Sequence, residues 1–172
     1  GLCFRGALTV RQGYLEGGLR QLRVGLAELP GGADHPRFTP WRLQLADALG
    51  CTGAFDEALG VIDKGLETAE AKGQFFSLPE LTRIRGEIVR HRGGPGALEM
   101  AAAAFSKARD IAHRQGSLST ELRAATSLAQ LDLEEGPRNE ALRSLADVYG
   151  RFSEGFETAD LLAARALLSP SL

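Results

Sequence analysis

A column of small residues recurs along the chain at nearly constant spacing. It constrains the fold more than any other feature. Gly18, Ala58, Ala101 and Ala141 are separated by 40, 43 and 40 residues. Each follows a glycine-bearing break: Gly13-Tyr-Leu-Glu-Gly-Gly18, Gly53-Ala-Phe-Asp-Glu-Ala58, the longer Gly93-Gly-Pro-Gly-Ala-Leu-Glu-Met-Ala101, and Gly136-Pro-Arg-Asn-Glu-Ala141. The three extra residues of the third unit fall in its Gly/Pro-rich turn, where insertion costs least. Four residues beyond each small residue stands a larger apolar one: Leu22, Ile62, Phe105 and Leu145. Three residues further stand Gly25, Gly65, Ala108 and Val148. Offsets of four and seven put all three on one stripe of a helix. A small–large–small stripe lets neighbouring helices approach closely around one bulky side chain; only Val148 departs from it.

A second column precedes the first. Gly6, Ala46, Gly86 and Ala129 lie twelve residues before the small residue of the following helix, or fifteen in the third unit. A mid-helix glycine costs about 1 kcal/mol of helix propensity, so glycine at two of four equivalent sites implies close helix contacts that offset it. The spacing predicts helices over 2–12, 15–29, 40–51, 55–72, 78–92, 96–115, 118–135, 138–150 and 157–168. Thr39 before Pro40 reads as an N-cap, Ser77 with Glu80 as a capping box, and Gly73 and Gly116 as helix stops. The reading is all-α: a right-handed α-solenoid of about four helix pairs, with repeats at about 1–37, 38–76, 77–116 and 117–152. An unpaired helix over 157–168 caps it. Few aromatics, at 6%, and an abundance of Ala and Leu agree with helix rather than strand.

These columns resemble the tetratricopeptide repeat (TPR), with a small residue in the first helix and Ala, a bulky residue and Ala in the second. The period of about 40 exceeds the usual ~34, which implies lengthened helices. Thr9, Leu49, Val89 and Asp132 stand where tyrosine is typical. A narrower resemblance lies in Leu81-Thr-Arg-Ile-Arg-Gly-Glu87, the run from Ala108 to Ala129, Tyr149-Gly-Arg-Phe-Ser-Glu-Gly-Phe-Glu-Thr-Ala-Asp160 and the closing Ala-Arg-Ala-Leu-Leu168. Together these look like the C-terminal helical-repeat region of bacterial STAND-type ATPases, over about residues 40–168. In that group the region follows an ATPase module, often with an adenylate or guanylate cyclase domain or a winged helix at the N-terminus. The resemblance implies a sensor or scaffold arm and transfers neither ATPase nor cyclase activity.

A net charge of −2 supplies no broad basic field for nucleic acid. The apolar run Leu161 to Leu168 is short, carries Arg165, and does not span a bilayer. Cys3 and Cys51 form neither a disulfide framework nor a metal knuckle, and a reducing cytoplasm is the default expectation. The chain begins at Gly1 without methionine and reads as a piece of something longer.

Catalytic signatures are lacking, so the expectation is a protein that is not an enzyme and takes no cofactor or metal. His35, His91 and His113 form no H-E-x-x-H pair and have no neighbouring cysteine. His113 reads as a complement to a helix dipole, and His35 beside Pro36 as loop. Gly93-Gly-Pro-Gly96 lacks the Gly-Lys-Ser/Thr ending of a phosphate loop and reads as a turn. Glu134, Glu135, Asp56 and Glu57 read as solvated or capping carboxylates, and each cysteine as a buried small thiol.

In a TPR stack the first helices line the concave face. Counted from Gly86, the inward positions are Glu80, Arg83, Glu87, Arg90 and His91. Counted from Ala129 they are Arg123, Thr126, Gln130 and Glu134. Arg83, Arg90 and Arg123 are placed to clamp a carboxylate or an acidic peptide, and Glu87 to pair with Arg83 or His91 four residues away. The competing reading is a solvated face with local ion pairs of about 0.3–0.5 kcal/mol each. Phe38 and Trp41 are expected to pack beneath the loop over 30–39, with partner anchoring as the alternative. The functional expectation is an interaction or regulatory arm of a multidomain bacterial signalling ATPase, binding a protein, a peptide or its own neighbouring domains. The alternatives are self-association as a homodimer, and an enzyme or small-molecule sensor with a pocket at the long loop.

Overall fold

The computed structural model describes residues 1–29, 38–135 and 139–169. Among the described residues, nine α-helices run in order: α1 (Leu2–Arg11), α2 (Leu15–Ala27), α3 (Thr39–Cys51), α4 (Phe55–Ala71), α5 (Leu78–Arg92), α6 (Ala97–Arg114), α7 (Leu118–Glu135), α8 (Asn139–Tyr149) and α9 (Ala159–Leu168). A 3-10 turn at Phe75–Ser77 precedes α5, and no strand occurs among the described residues. The loop assigned to His35 and Pro36, the turn at Gly136 and the side chain of Glu135 lie outside what is described.

The helices stack as α1/α2, α3/α4, α5/α6 and α7/α8, with α9 against α7 and α8. Successive odd-numbered helices also touch one another: α1 with α3, α3 with α5, α5 with α7, α7 with α9. No pair of successive even-numbered helices packs comparably among the described residues. The layer with closer neighbours is the inside of a curve, so the odd helices form the concave wall of an α-solenoid.

The small-residue columns explain how the pairs close. Leu22, Ile62, Phe105 and Leu145 are fully buried. A β-carbon on Gly6 would lie 2.9 Å from the Gly18 carbonyl oxygen, and one on Gly18 would lie 2.8 Å from the Gly6 oxygen. At Gly86 it would come within 2.6 Å of the Phe105 ring. Glycine at these sites therefore sets the helix separation, as its recurrence implied. Gly73 and Gly116, with φ of 64° and 66°, end α4 and α6 as expected.

Two caps differ from expectation. Phe38 rather than Thr39 caps α3, with Pro40 in its first turn, and no side chain bonds the helix end. The Ser77–Glu80 capping box does not form. The 3-10 turn already holds Ser77 in a helical conformation, with φ −88° and ψ −13°. Its hydroxyl donates to the Gln74 carbonyl instead, and Glu80 is drawn to Arg83 and Arg123.

Candidate functional site: the concave groove

The inner faces of α5 and α7 are joined by charge. Arg83 meets Glu80 at 2.8 Å and Glu87 at 3.4 Å on its own helix, and its guanidinium reaches the Ser127 hydroxyl of α7 at 3.4 Å. The Ser127 hydroxyl donates to Glu87 at 2.6 Å. Arg123 of α7 reaches back to Glu80 at 3.2 Å and on to Asp160 of α9 at 3.3 Å. Arg90 pairs with Glu87 at 3.0 Å and with Glu134 at 2.7 Å. The side chains of Arg83, Glu87 and Arg90 are only 14–16% exposed, so the pairs Glu87 makes with Arg83 and Arg90 are far less screened than ordinary surface pairs. Burial works against ionising Glu80, but the Arg83 and Arg123 guanidiniums overcome it and hold the carboxyl below its usual range. Burial likewise opposes the Arg83 charge, yet Glu80, Glu87 and Asp47 raise its affinity for the proton.

Two clefts share Arg83 and Glu87. The larger, of about 680 Å³, lies between α3 and α5 and is lined by Asp47, Cys51, Phe55, Ile84, Ile88 and His91, among others. The smaller, of about 170 Å³, lies between α5, α7 and α9 and includes Arg123, Thr126, Ser127, Gln130 and Asp160. The structure thus brings Arg83, Glu87, Arg90 and His91 along one lobe, and Arg123, Thr126 and Gln130 along the next. His91 reaches the Glu87 backbone oxygen at 2.9 Å through Nδ1, so of the two expected partners of the Glu87 carboxylate only Arg83 meets it. The Thr126 hydroxyl donates to the Leu122 carbonyl, and Gln130 has no side-chain hydrogen bond.

The electrostatic balance differs from the arginine clamp read from the sequence. Each of the three arginines is already engaged by carboxylates. Among the residues lining the two clefts, Asp47, Glu87 and Asp160 equal Arg83, Arg90 and Arg123 in number, and Glu80 and Glu134, outside the lining, add further carboxylate partners to the arginines. Asp47 and Cys51 are additions to the expected set. With the offsets that hold for Gly86 and Ala129, the inward positions around Ala46 are Asp47, Gly50 and Cys51, all of which line the larger cleft. That register was legible in the sequence. The partners Asp160 and Ser127 lie 37 to 44 residues from their arginines and carry no local signal.

Cys51 is exposed at the end of α3, not buried. Its position on the helix faces the cleft rather than the core. Desolvation, then the neighbouring Asp47 charge, push its thiol up, which keeps it in the poorly nucleophilic protonated form. Cys3 is buried as expected, and its thiol is raised by burial.

Elsewhere, His113 does more than face a helix end. Its Nδ1 lies 2.9 Å from the buried Glu121, which Arg151 also reaches at 2.7 Å. Asp56 and Glu57 open α4 and pair with Arg92 and Arg23. Phe38 is buried and Trp41 packs edge-on to Phe4 at 6.2 Å. Beside Trp41 a cleft of about 360 Å³ is lined by Phe4, Ala7, Leu8, Pro40, Arg11 and Gln44, an apolar surface rather than a polar pocket. Among the described residues, no group of three or more His, Cys, Asp or Glu side chains is placed to hold a metal ion. None of the described helices is long and apolar enough to cross a membrane.

No family model and no curated protein matches the chain. Among solved structures, it is similar to the nearly identical TPR-like repeats of a kinesin light chain-type protein from Podosopora anserina, at 18% identity and a TM-score of 0.65. The match covers 97% of this chain and 82% of that one. A point variant of that same protein matches equally well, over 81% of its length. At this identity the likeness is one of fold. This is a TPR-like α-solenoid.

Proposed function

We propose that this TPR-like stack is a protein-interaction module that binds a peptide or protein segment along the groove lined by Asp47, Arg83, Glu87, Arg90, His91, Arg123, Thr126 and Gln130. One observation carries this reading. The two clefts adjoin at Arg83 and Glu87, which line both, so that together they extend over three repeats. Their walls offer charged side chains over an apolar floor of Phe55, Ile84 and Ile88, a mixture suited to a polypeptide.

Arg83 is too deeply engaged to serve as a clean probe, because removing it strands Glu80 and Glu87. Thr126 and Gln130 are better positions. Peptides selected from a random library on the wild-type protein are expected to lose binding at least tenfold in Thr126→Trp and Gln130→Trp, which fill the smaller lobe. Helicity, followed by circular dichroism, should be unchanged. Unaltered affinity in both variants would count against the groove.

The wider setting we propose is a regulatory arm of a bacterial signalling ATPase. It rests on the resemblance of Leu81–Glu87, 108–129 and Tyr149–Asp160 to that group's repeat region. Sequencing the encoding gene tests it: an ATPase module in the same open reading frame is expected, and its absence would overturn the setting without touching the groove.

A further inference from the structure

The groove's charges are not engaged evenly, and the imbalance names the ligand. Every arginine in it is neutralised internally: Arg83 by Glu80 and Glu87, Arg90 by Glu87 and Glu134, Arg123 by Glu80 and Asp160. An incoming carboxylate or phosphate would have to displace these partners, and Glu80 and Glu87, which are largely buried, would be stranded in a weakly solvated wall. Asp47 is the opposite case. It stands in the larger cleft with its surface exposed, and it has neither a hydrogen bond nor an ion pair. The groove walls desolvate its carboxyl and raise it, against the pull of Arg83 and, more weakly, His91, while the Glu87 and Glu80 carboxylates push the same way as desolvation. A cation beside Asp47 would relieve that disfavour, whereas an anion would deepen it.

The surroundings extend the argument. Phe55, Ile84 and Ile88 line the same cleft as Asp47. A long cationic side chain binds by laying its methylene stem on an apolar surface while its head meets a carboxylate. The cleft volume of about 680 Å³ accommodates such a side chain with adjoining backbone. We infer that the groove's occupant is a basic peptide segment of a protein partner, which seats a lysine or arginine side chain with its head at Asp47 and its stem over Phe55, Ile84 and Ile88. This inference rests on the groove reading above and adds the sign of the ligand's charge and its point of entry.

The test uses the same random peptide library on the 172-residue chain. The selected pool is expected to be enriched in Lys and Arg. Its members should bind Asp47→Asn about tenfold more weakly, as for loss of one charge-assisted hydrogen bond, and Asp47→Lys more weakly still. Binding should weaken with added salt, and Lys107→Glu, outside the groove lining, should have no effect. Asp47 holds no hydrogen-bond or ion-pair partner, so both of its variants should keep wild-type helicity. Peptides that are blocked by Gln130→Trp yet are acidic or neutral, or indifferent to Asp47→Lys, overturn the charge assignment and leave the groove reading standing. Peptides indifferent to Gln130→Trp and Thr126→Trp and also to Asp47→Lys, or failure to enrich any peptide, overturn both.

Discussion

Asp47 and Glu80 face the same groove with opposite electrostatic histories. The Glu80 carboxyl is held low by arginines, so its contribution to stability is full above the ordinary carboxylate pKa and is lost as pH falls through its depressed folded value. The Asp47 carboxyl is held high, so its ionised form is a burden on the fold at neutral pH, and the burden lifts as pH falls through its raised value. Asp47→Asn is therefore expected to unfold at a higher temperature than wild type at pH 7. The difference should vanish below the ordinary carboxylate range. Thermal melts at a series of pH values check this, and a lower melting temperature at neutral pH would contradict it. A side chain that costs stability while making no internal hydrogen bond or ion pair is what a binding residue looks like.

Helices are the next scale, and here the glycine columns govern. The α5/α6 pair closes over Phe105, with Gly86 directly beneath the ring. Gly86→Ala gains helix propensity of up to about 1 kcal/mol but forces a methyl into a contact of 2.6 Å. Overpacking costs about 1–3 kcal/mol, so net destabilisation is expected on urea titration; a stabilised variant would show that the pair has slack. The helices and their approach were readable from Gly6, Ala46, Gly86 and Ala129, because a period-3.6 stripe and a repeat spacing are both local signals. The N-terminal caps were less readable. Ser77 and Glu80 have capping-box spacing, yet the 3-10 turn and the distant Arg123 decide their bonds, and neither is visible in a short window. The groove followed the same division. The inward register was visible down to Asp47, while the partners that neutralise the arginines come from other repeats and required the assembled stack.

Over the whole molecule the core is segmented. One cluster of buried side chains runs from Cys3 on α1 to Ile88 on α5, and another joins Leu122 on α7 to Ala164 on α9. Between them sits a small knot of Ala101, Phe105 and Leu131. Stability in such a stack is a sum of units and their interfaces. Phe105→Ala removes the largest side chain of the joint, at a cost of about 3–5 kcal/mol. It is expected to split denaturant unfolding into two resolved steps, with amides of α7–α9 exchanging independently of those in α1–α5. Hydrogen exchange checks this, and a single coincident transition would show that the two halves remain coupled without the ring.

Different forces close the concave wall along its length. Between α5 and α7 it is stitched by Glu80–Arg123, Glu87–Ser127 and Arg90–Glu134. Across the larger cleft, Asp47 offers no such stitch to α5. The α3–α5 joint is held instead by the apolar cluster that reaches Ile84 and Ile88 on α5. Charge therefore closes one half of the wall and apolar burial the other, so acid loosens the first joint and cooling weakens the second.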